Sequence, residues 1–297
     1  MRVKKNRVLF LCCFISLLIL QSSVLVSHEP EIPQLLSTEA LSRLSPHSFN
    51  RYYHNINSQC GEDGIIEEIF RRLQVRDGFF VEFGAADGLW FSNSRYLWEK
   101  GWSGVMIEAD TSRFQELVAR YAGQERMLCL QEYITATNED TRGATLDKVA
   151  DKNFPDKEID FLSIDVDGAD YLILEGLQRK PKVICVEAGL HWHPLFNERI
   201  PDEFAVQNLQ QPLAVMLDIA RRKGYQPVCL TGNLILVRSD LCAAFQEVPS
   251  DVLTLFRDGW RSSFCRKWLV DYRQGHPYIM KFEGLGLQLR YPITEDF

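Results

Sequence analysis

The sequence predicts an α/β protein of the Rossmann-like class: a mostly parallel sheet with helices on both faces, closed near its C-terminal end by an antiparallel hairpin strand. Three observations predict it. Short apolar runs suited to buried strands alternate with stretches whose apolar residues recur at helical spacing, the pattern of a covered parallel sheet. A glycine-containing turn follows the first of these strands directly, and acidic residues stand at the ends of several others. Finally, residues 225–230 and 234–238 flank Thr231-Gly232-Asn233, which reads as a hairpin adding an antiparallel edge.

The elements follow in order. Ile65, Ile66, Ile69, Phe70 and Leu73 share one helical face over 65–73, with Glu62 and Asp63 favourably near the helix start. Residues 79–83 form a short buried strand. A helix over 92–100 ends at Gly101, and strand 104–108 and helix 113–121 follow. Strand 127–130, helix 145–152, strand 159–165, helix 171–177 and strand 182–187 continue the alternation. A helix over 212–223 ends at Gly224 before the hairpin.

Outside this alternation the chain changes character. Arg2, Lys4, Lys5 and Arg7 precede an apolar run over 8–26 that only Ser16, Gln21, Ser22 and Ser23 interrupt, so residues 1–27 are set aside as a signal-anchor or signal peptide. The strongest part, 8–20, has the length of a signal-peptide core, roughly 7–15 residues, while the whole run approaches the ~20 residues that span a bilayer. Cleavage sites are poor, because Leu25, Gln21 and Leu20 stand two residues before Ser27, Ser23 and Ser22. An uncleaved membrane anchor is therefore the expectation, and secretion after cleavage the alternative. The basic flank before the run, with His28, Glu29 and Glu31 after it, places the N-terminus in the cytoplasm and the domain on the lumenal or extracytoplasmic side. Residues 28–57, with Pro30, Pro33 and Pro46, read as a stalk, 58–242 as the domain, and 243–297 as an aromatic-rich appendage packed on it.

Composition narrows the function. An apolar share of 46% in 297 residues suits a globular protein with a substantial core. The net charge of −7, with no Lys/Arg run beyond the N-terminus, argues against a nucleic-acid partner and favours a small-molecule or glycan acceptor. Cys129, Cys185 and Cys229 sit in apolar strand-like runs as small hydrophobes, Cys60, Cys242 and Cys265 remain as bridge candidates, with a Cys242–Cys265 disulfide conceivable in a lumenal compartment, and no zinc-type Cys/His spacing occurs.

In a doubly wound sheet the ligand lies beyond the carboxyl ends of the strands, where the first strand turns toward its helix. Glu82-Phe83-Gly84-Ala85-Ala86-Asp87-Gly88 stands there. Gly84 and Gly88 permit a tight bend and close approach of the backbone to a ligand. The spacing Glu-x-Gly-x-x-x-Gly, rather than Gly-x-Gly-x-x-Gly, favours S-adenosylmethionine over a pyrophosphate-bearing dinucleotide. Glu82, Gly84, Ala85, Asp87 and Gly88 are the expected cofactor loop, and Glu108, at the end of the second strand, is placed to accept from both ribose hydroxyls.

Asp165-Val166-Asp167-Gly168 brings two carboxylates to the mouth of the same cleft, where they can orient cofactor or acceptor, act as a base, or ligate a hard metal; a solvated Asp/Gly turn is the plainer alternative. Asp165 is assigned to the cofactor and to proton removal, Asp167 and Glu187 to the acceptor. No metal is assigned, and a divalent ion has no support beyond the carboxylates. The loop Gly189-Leu190-His191-Trp192-His193-Pro194 after the fifth strand offers His191 and His193 as further candidate bases.

These residues resemble the FkbM-like methyltransferases over most of 58–241. Ser58-Gln59-Cys60-Gly61-Glu62-Asp63-Gly64-Ile65-Ile66, Phe80-Val81-Glu82-Phe83-Gly84 with Asp87-Gly88-Leu89, Gly101-Trp102-Ser103-Gly104 with Ile107-Glu108, Thr145-Leu146-Asp147 and residues 159–168 are similar to segments of that family, as is Gly224-Tyr225. Ala169-Asp170-Tyr171 departs from it where the family pattern has Asn-Asp-Tyr, and the His-Trp-His-Pro loop has no counterpart. The resemblance implies a class I methyltransferase sheet, S-adenosylmethionine at Glu82, Gly84, Gly88 and Glu108, and usually O-methylation of a hydroxyl on a sugar, glycan or secondary metabolite. The alternative is a catalytically inactive lumenal domain of the same fold, acting in partner binding or trafficking. An NAD-dependent oxidoreductase would need a second pyrophosphate-binding glycine where Ala86 stands.

Overall fold

The architecture follows from strands that are apolar on both faces. The structure, a computed structural model, describes residues 33–262. Within them α1 (Thr38–Ser42) precedes α2 (Glu62–Leu73) and β1 (Phe79–Phe83). Next come α3 (Arg95–Glu99), β2 (Ser103–Glu108), α4 (Thr111–Arg120) and β3 (Met127–Gln131). The short pair β4 (Ile134–Thr135) and β5 (Ala144–Thr145) leads into α5 (Leu146–Asn153), β6 (Phe161–Ile164), α6 (Asp170–Gly176) and β7 (Val183–Glu187). A single turn α7 (Asp202–Phe204), α8 (Leu213–Arg222), the hairpin β8 (Tyr225–Leu230) and β9 (Asn233–Arg238), and α9 (Val252–Ser262) complete the order.

The main sheet has seven strands in the order β3-β2-β1-β6-β7-β9-β8. β1 pairs in parallel with β2 on one side and β6 on the other, β2 with β3, and β6 with β7, while β9 runs antiparallel between β7 and β8. The chain thus builds outward from β1 to β3, then returns across β1 to start β6, so the crevice between the ends of β1 and β6 is the switch point at which such sheets hold ligands.

Side-chain alternation divides the core into two layers. Val81, Phe83, Val105, Ile107, Leu162, Ile164, Ile184 and Val186 face a layer that includes residues of α5, α6, α8 and α9. Phe80, Met106, Phe161, Val183 and Cys185 face Ile65, Ile66, Ile69 and Phe70 of α2, with Leu97 of α3 and Leu117 of α4. The helix starts are fixed locally: the Asp110 side chain accepts from the Ser112 and Arg113 N–H groups, and Thr145 accepts from Lys148 N–H.

The predicted strands and helices of the domain are present, with two telling differences. The helix expected from Ser92 begins only at Arg95, because Ser92, Asn93 and Ser94 turn inward to a buried carboxylate. The strand expected over 159–165 contracts to Phe161–Ile164, because Asp160 caps the neighbouring strand by accepting from Phe79 N–H and pairs with Lys182 at 2.6 Å. Cys185 and Cys229 are buried, and burial pushes both thiols well above their ordinary pKa, consistent with packing rather than reactivity.

In the segment expected as a stalk, residues 33–57, Leu44, Phe49, Asn50 and Tyr53 are buried. The Phe49 ring lies 5.6 Å from that of Phe245, with the Arg72 guanidinium 4.6 Å above it. Asn50 donates to the Leu230 carbonyl at 2.7 Å and to Ser262 Oγ at 2.8 Å, while Ser45 N–H and Oγ donate to Asp258 of α9. The expected anchor over 1–27 lies outside the described residues, as does the C-terminal stretch with Phe264, Cys265, Trp268 and Tyr272. Among the described residues no helix is long and apolar enough to cross a membrane.

Replacing Phe49 by Ala empties a fully enclosed site, so Phe49→Ala is expected to cost about 3 kcal/mol, read as a lower urea midpoint with an unchanged slope. A midpoint equal to wild type would mean that the segment contributes nothing to folding.

Candidate active site

The crevice starts at Gly84. Its φ is +73°, and a β-carbon there would overlap the Asp165 carbonyl oxygen, so the ends of β1 and β6 approach as closely as they do only because residue 84 is glycine. Ala86 and Gly88 also have positive φ, and a side chain at Gly88 would meet Leu117 and Tyr121. The loop is then held from α4: Arg120 Nη2 pairs with Asp87 at 2.6 Å, its Nε donates to the Asp87 carbonyl, and Tyr121 OH donates to the Gly88 carbonyl at 2.7 Å. Asp87 Oδ1 accepts from Leu89 and Trp90 N–H, so this carboxylate stabilises the turn itself.

Glu108, buried at the end of β2, joins the two loops. It accepts from Ala86 N–H at 2.8 Å through one oxygen and from Asp110 N–H at 2.7 Å through the other. Ala85 is buried, and its N–H donates to the Ile107 carbonyl. Glu82 lies beneath the loop and is 4% exposed. It accepts from Ser92 Oγ and Ser94 Oγ, both at 2.6 Å, and from Asn93 N–H at 2.9 Å. Burial raises its carboxyl above the ordinary range, and these hydrogen bonds oppose that shift.

At the end of β6 the Asp165–Gly168 turn is pinned by Asp170, which accepts from Val166 N–H at 2.9 Å and Gly168 N–H at 2.8 Å. Asp167 takes φ +55° and Gly168 φ +120° in this turn. Burial pushes the Asp170 carboxyl up to about 6. Asp165, Asp167 and Glu187, each half-buried, present carboxylate oxygens that all lie within 4.8 Å of one another, an oxygen donor set that suits a hard cation. Burial first, then the charges of Glu187 and Asp167, hold the Asp165 carboxyl well above its ordinary value of 3.8.

The histidines stand apart from this cluster in character. His191 is fully buried, its ring 4.7 Å from that of Trp192, whose indole N–H donates to the Leu209 and Gln210 carbonyls. His193 is half-buried and its Nδ1 accepts from Leu195 N–H at 3.2 Å.

The sequence assigns no site role to several residues beside the crevice. Gln210, with φ +54°, donates its side-chain amide to Glu187. Glu62 is buried at the start of α2 and accepts from Cys60 N–H, Thr231 Oγ1 and Asn233 Nδ2; Asn233 is the register partner of Glu187. The Ser92-Asn93-Ser94 run carried a signal, since clustered hydroxyl and amide side chains before a helix favour local side-chain hydrogen bonds. Gln210 carried none.

This order of strands, with the glycine turn and acidic strand ends at the switch point, defines a Rossmann-like sheet. Residues 130–227 match the methyltransferase FkbM domain, as the sequence resemblance implied. The match includes Asp165, Asp167, Glu187 and the histidine loop, whereas the glycine turn and Glu108 precede it. No curated protein matches the chain. Solved structures with a similar fold include a SAM-dependent methyltransferase from Aquifex aeolicus, 12% identical over 57% of this chain and 86% of that one, with a TM-score of 0.35. A TehB-like SAM-dependent methyltransferase from Corynebacterium glutamicum is 11% identical over 59% and 84%, with a TM-score of 0.35. The fibrillarin pre-rRNA processing protein of Methanococcus jannaschii is 14% identical over 55% and 67%, with a TM-score of 0.38.

The carboxylate cluster makes a pH prediction. A folded-state pKa above the unfolded one favours folding below 3.8, and that advantage disappears as pH rises through the elevated value, beyond which ionised Asp165 faces Glu187 and Asp167. In the presence of a chelator, Asp165→Asn is therefore expected to melt at a higher temperature than wild type under alkaline conditions. The difference should shrink toward zero in acid. Equal melting curves across the range would contradict the repulsion.

Proposed function

We propose that this domain is an S-adenosylmethionine-dependent methyltransferase that methylates a hydroxyl of a sugar, glycan or small metabolite, and that it works at a membrane to which residues 1–27 anchor it. The observation that carries this reading is the meeting of the glycine turn with the Asp165–Asp167–Glu187 cluster across one crevice. Three carboxylates so close favour a cation, and S-adenosylmethionine brings a sulfonium and an ammonium group where a dinucleotide brings a pyrophosphate.

The residues fit such a cofactor at two further points: the turn at Gly84 has room for backbone only, and Glu108 stands buried at the end of β2, where a ribose would lie. The bound cofactor would supply an electrophilic methyl carbon. Asp165, with its raised proton affinity, is the side chain we assign to receiving the acceptor's hydroxyl proton. Gln210 would keep Glu187 oriented beside it. Catalysis of this kind rests mainly on orientation of the reacting pair. Because Asp165, Asp167 and Glu187 also form a hard-cation donor set, a divalent ion is a second possible occupant, and chelation of the purified protein distinguishes the two.

Isothermal titration supplies the test. Wild type is expected to bind S-adenosylmethionine, and Asp165→Asn to weaken S-adenosylmethionine by about tenfold or more while affecting S-adenosylhomocysteine less, because only the former carries the sulfonium charge. No heat with wild type, or equal losses for both ligands, would remove the electrostatic basis of the assignment. The acceptor is sought as a gain of about 14 Da, one methylene, on glycans or metabolites of cells with and without the protein. If S-adenosylmethionine binds and no such product exists, the inactive, partner-binding role is the better description.

A further inference from the structure

We infer that Glu82 is a positioning residue that latches the cofactor loop to the sheet through Ser92, Asn93 and Ser94, and that it acts on the methyl donor through this loop rather than by touching it. The inference rests on the reading above that the crevice takes S-adenosylmethionine. Its geometry is independent of that reading.

Glu82 is the one carboxylate of β1, and both of its oxygens are engaged: Oε2 by two hydroxyls at 2.6 Å, Oε1 by a backbone N–H at 2.9 Å. The donors are three consecutive residues, all buried with it. Asn93 continues the network by donating from Nδ2 to Ser163 Oγ at 3.1 Å, and Ser163 is the register partner of Glu82 on β6. The chain therefore leaves β1 at Gly84, runs through the turn, and is drawn back onto β1 and β6 ten residues beyond Glu82, at Ser92. With Arg120 and Tyr121 holding Asp87 and Gly88 from the other side, the loop is fixed at both ends. The intervening tip carries Trp90, 72% exposed, and Phe91 at φ +60°. A carboxylate enclosed in this way supports the loop; Asp165, half-buried across the crevice, is the one exposed to a ligand's positive charge.

The latch and direct contact predict opposite responses to removal of charge with retention of shape. Glutamine at position 82 keeps an oxygen for Asn93 N–H and an amide that the two serine hydroxyls can accept from, so Glu82→Gln preserves the latch but deletes the charge. The test combines titration of the purified full-length protein with S-adenosylmethionine and hydrogen exchange of the amides of residues 84–95 without ligand. Glu82→Gln is expected to bind within about threefold of wild type with the same protection, whereas Ser92→Ala/Ser94→Ala loses protection and binds about tenfold or more weakly. A large loss of affinity in Glu82→Gln with protection intact would show that the charge contacts the ligand and would overturn the inference. Unchanged protection in Ser92→Ala/Ser94→Ala would overturn it equally. If wild type binds no S-adenosylmethionine, the cofactor assignment falls, and exchange alone still decides the latch.

Discussion

Everything at the crevice depends on one steric constraint, the approach of the Gly84 backbone to the Asp165 carbonyl. Adjacent parallel strands normally diverge into separate loops; here the first atoms of both loops remain in contact. The left-handed turn at Gly84 directs the chain toward β2, where Ala86 reaches Glu108, while pairing of β6 with β7 sets the β6 turn beside Glu187. A side chain at residue 84 would push these turns apart and separate the groups that the two halves of the sheet contribute.

The same closeness explains the electrostatics. Glu82, Asp165, Asp167, Glu187 and Asp170 crowd the carboxyl ends of three neighbouring strands, and the protein treats them differently. Glu82 is surrounded by donors, Asp170 is occupied by the backbone of its own turn, and Asp165 is left with raised proton affinity beside two other carboxylates. A proton or a positive charge beside Asp165 relieves the repulsion from Glu187 and Asp167.

Much of this was legible in the sequence. Alternating apolar runs located the seven sheet strands, and the position of Glu82–Gly88 after the first of them located the crevice, because sheet topology follows from local periodicity and loop length. What could not be read was which carboxylates the fold encloses and which it leaves at the crevice. Glu82 lies within β1, paired with Ser163, and Asp165 follows the end of β6, two register positions further on; the path of residues 92–94 encloses the first and leaves the second half-buried. Gln210 reaches Glu187 through a backbone conformation that no composition rule assigns to glutamine. His191 suited a catalytic loop by spacing and is instead buried against Trp192. The prolines of residues 28–57 suggested a stalk, while Ser45, Phe49 and Asn50 fasten its described part to the domain through contacts distant in sequence.

Those distant contacts have a consequence for how the protein is made. Ser45 finds Asp258 and Asn50 finds Ser262 across more than two hundred residues of chain. Synthesis delivers the N-terminal partner more than two hundred residues before the C-terminal one. Until that partner emerges, Phe49 lacks the Phe245 ring that packs on it and Asn50 lacks Ser262. The contacts of this early segment are thus among the last of the described fold to close, and they close only with α9 in place.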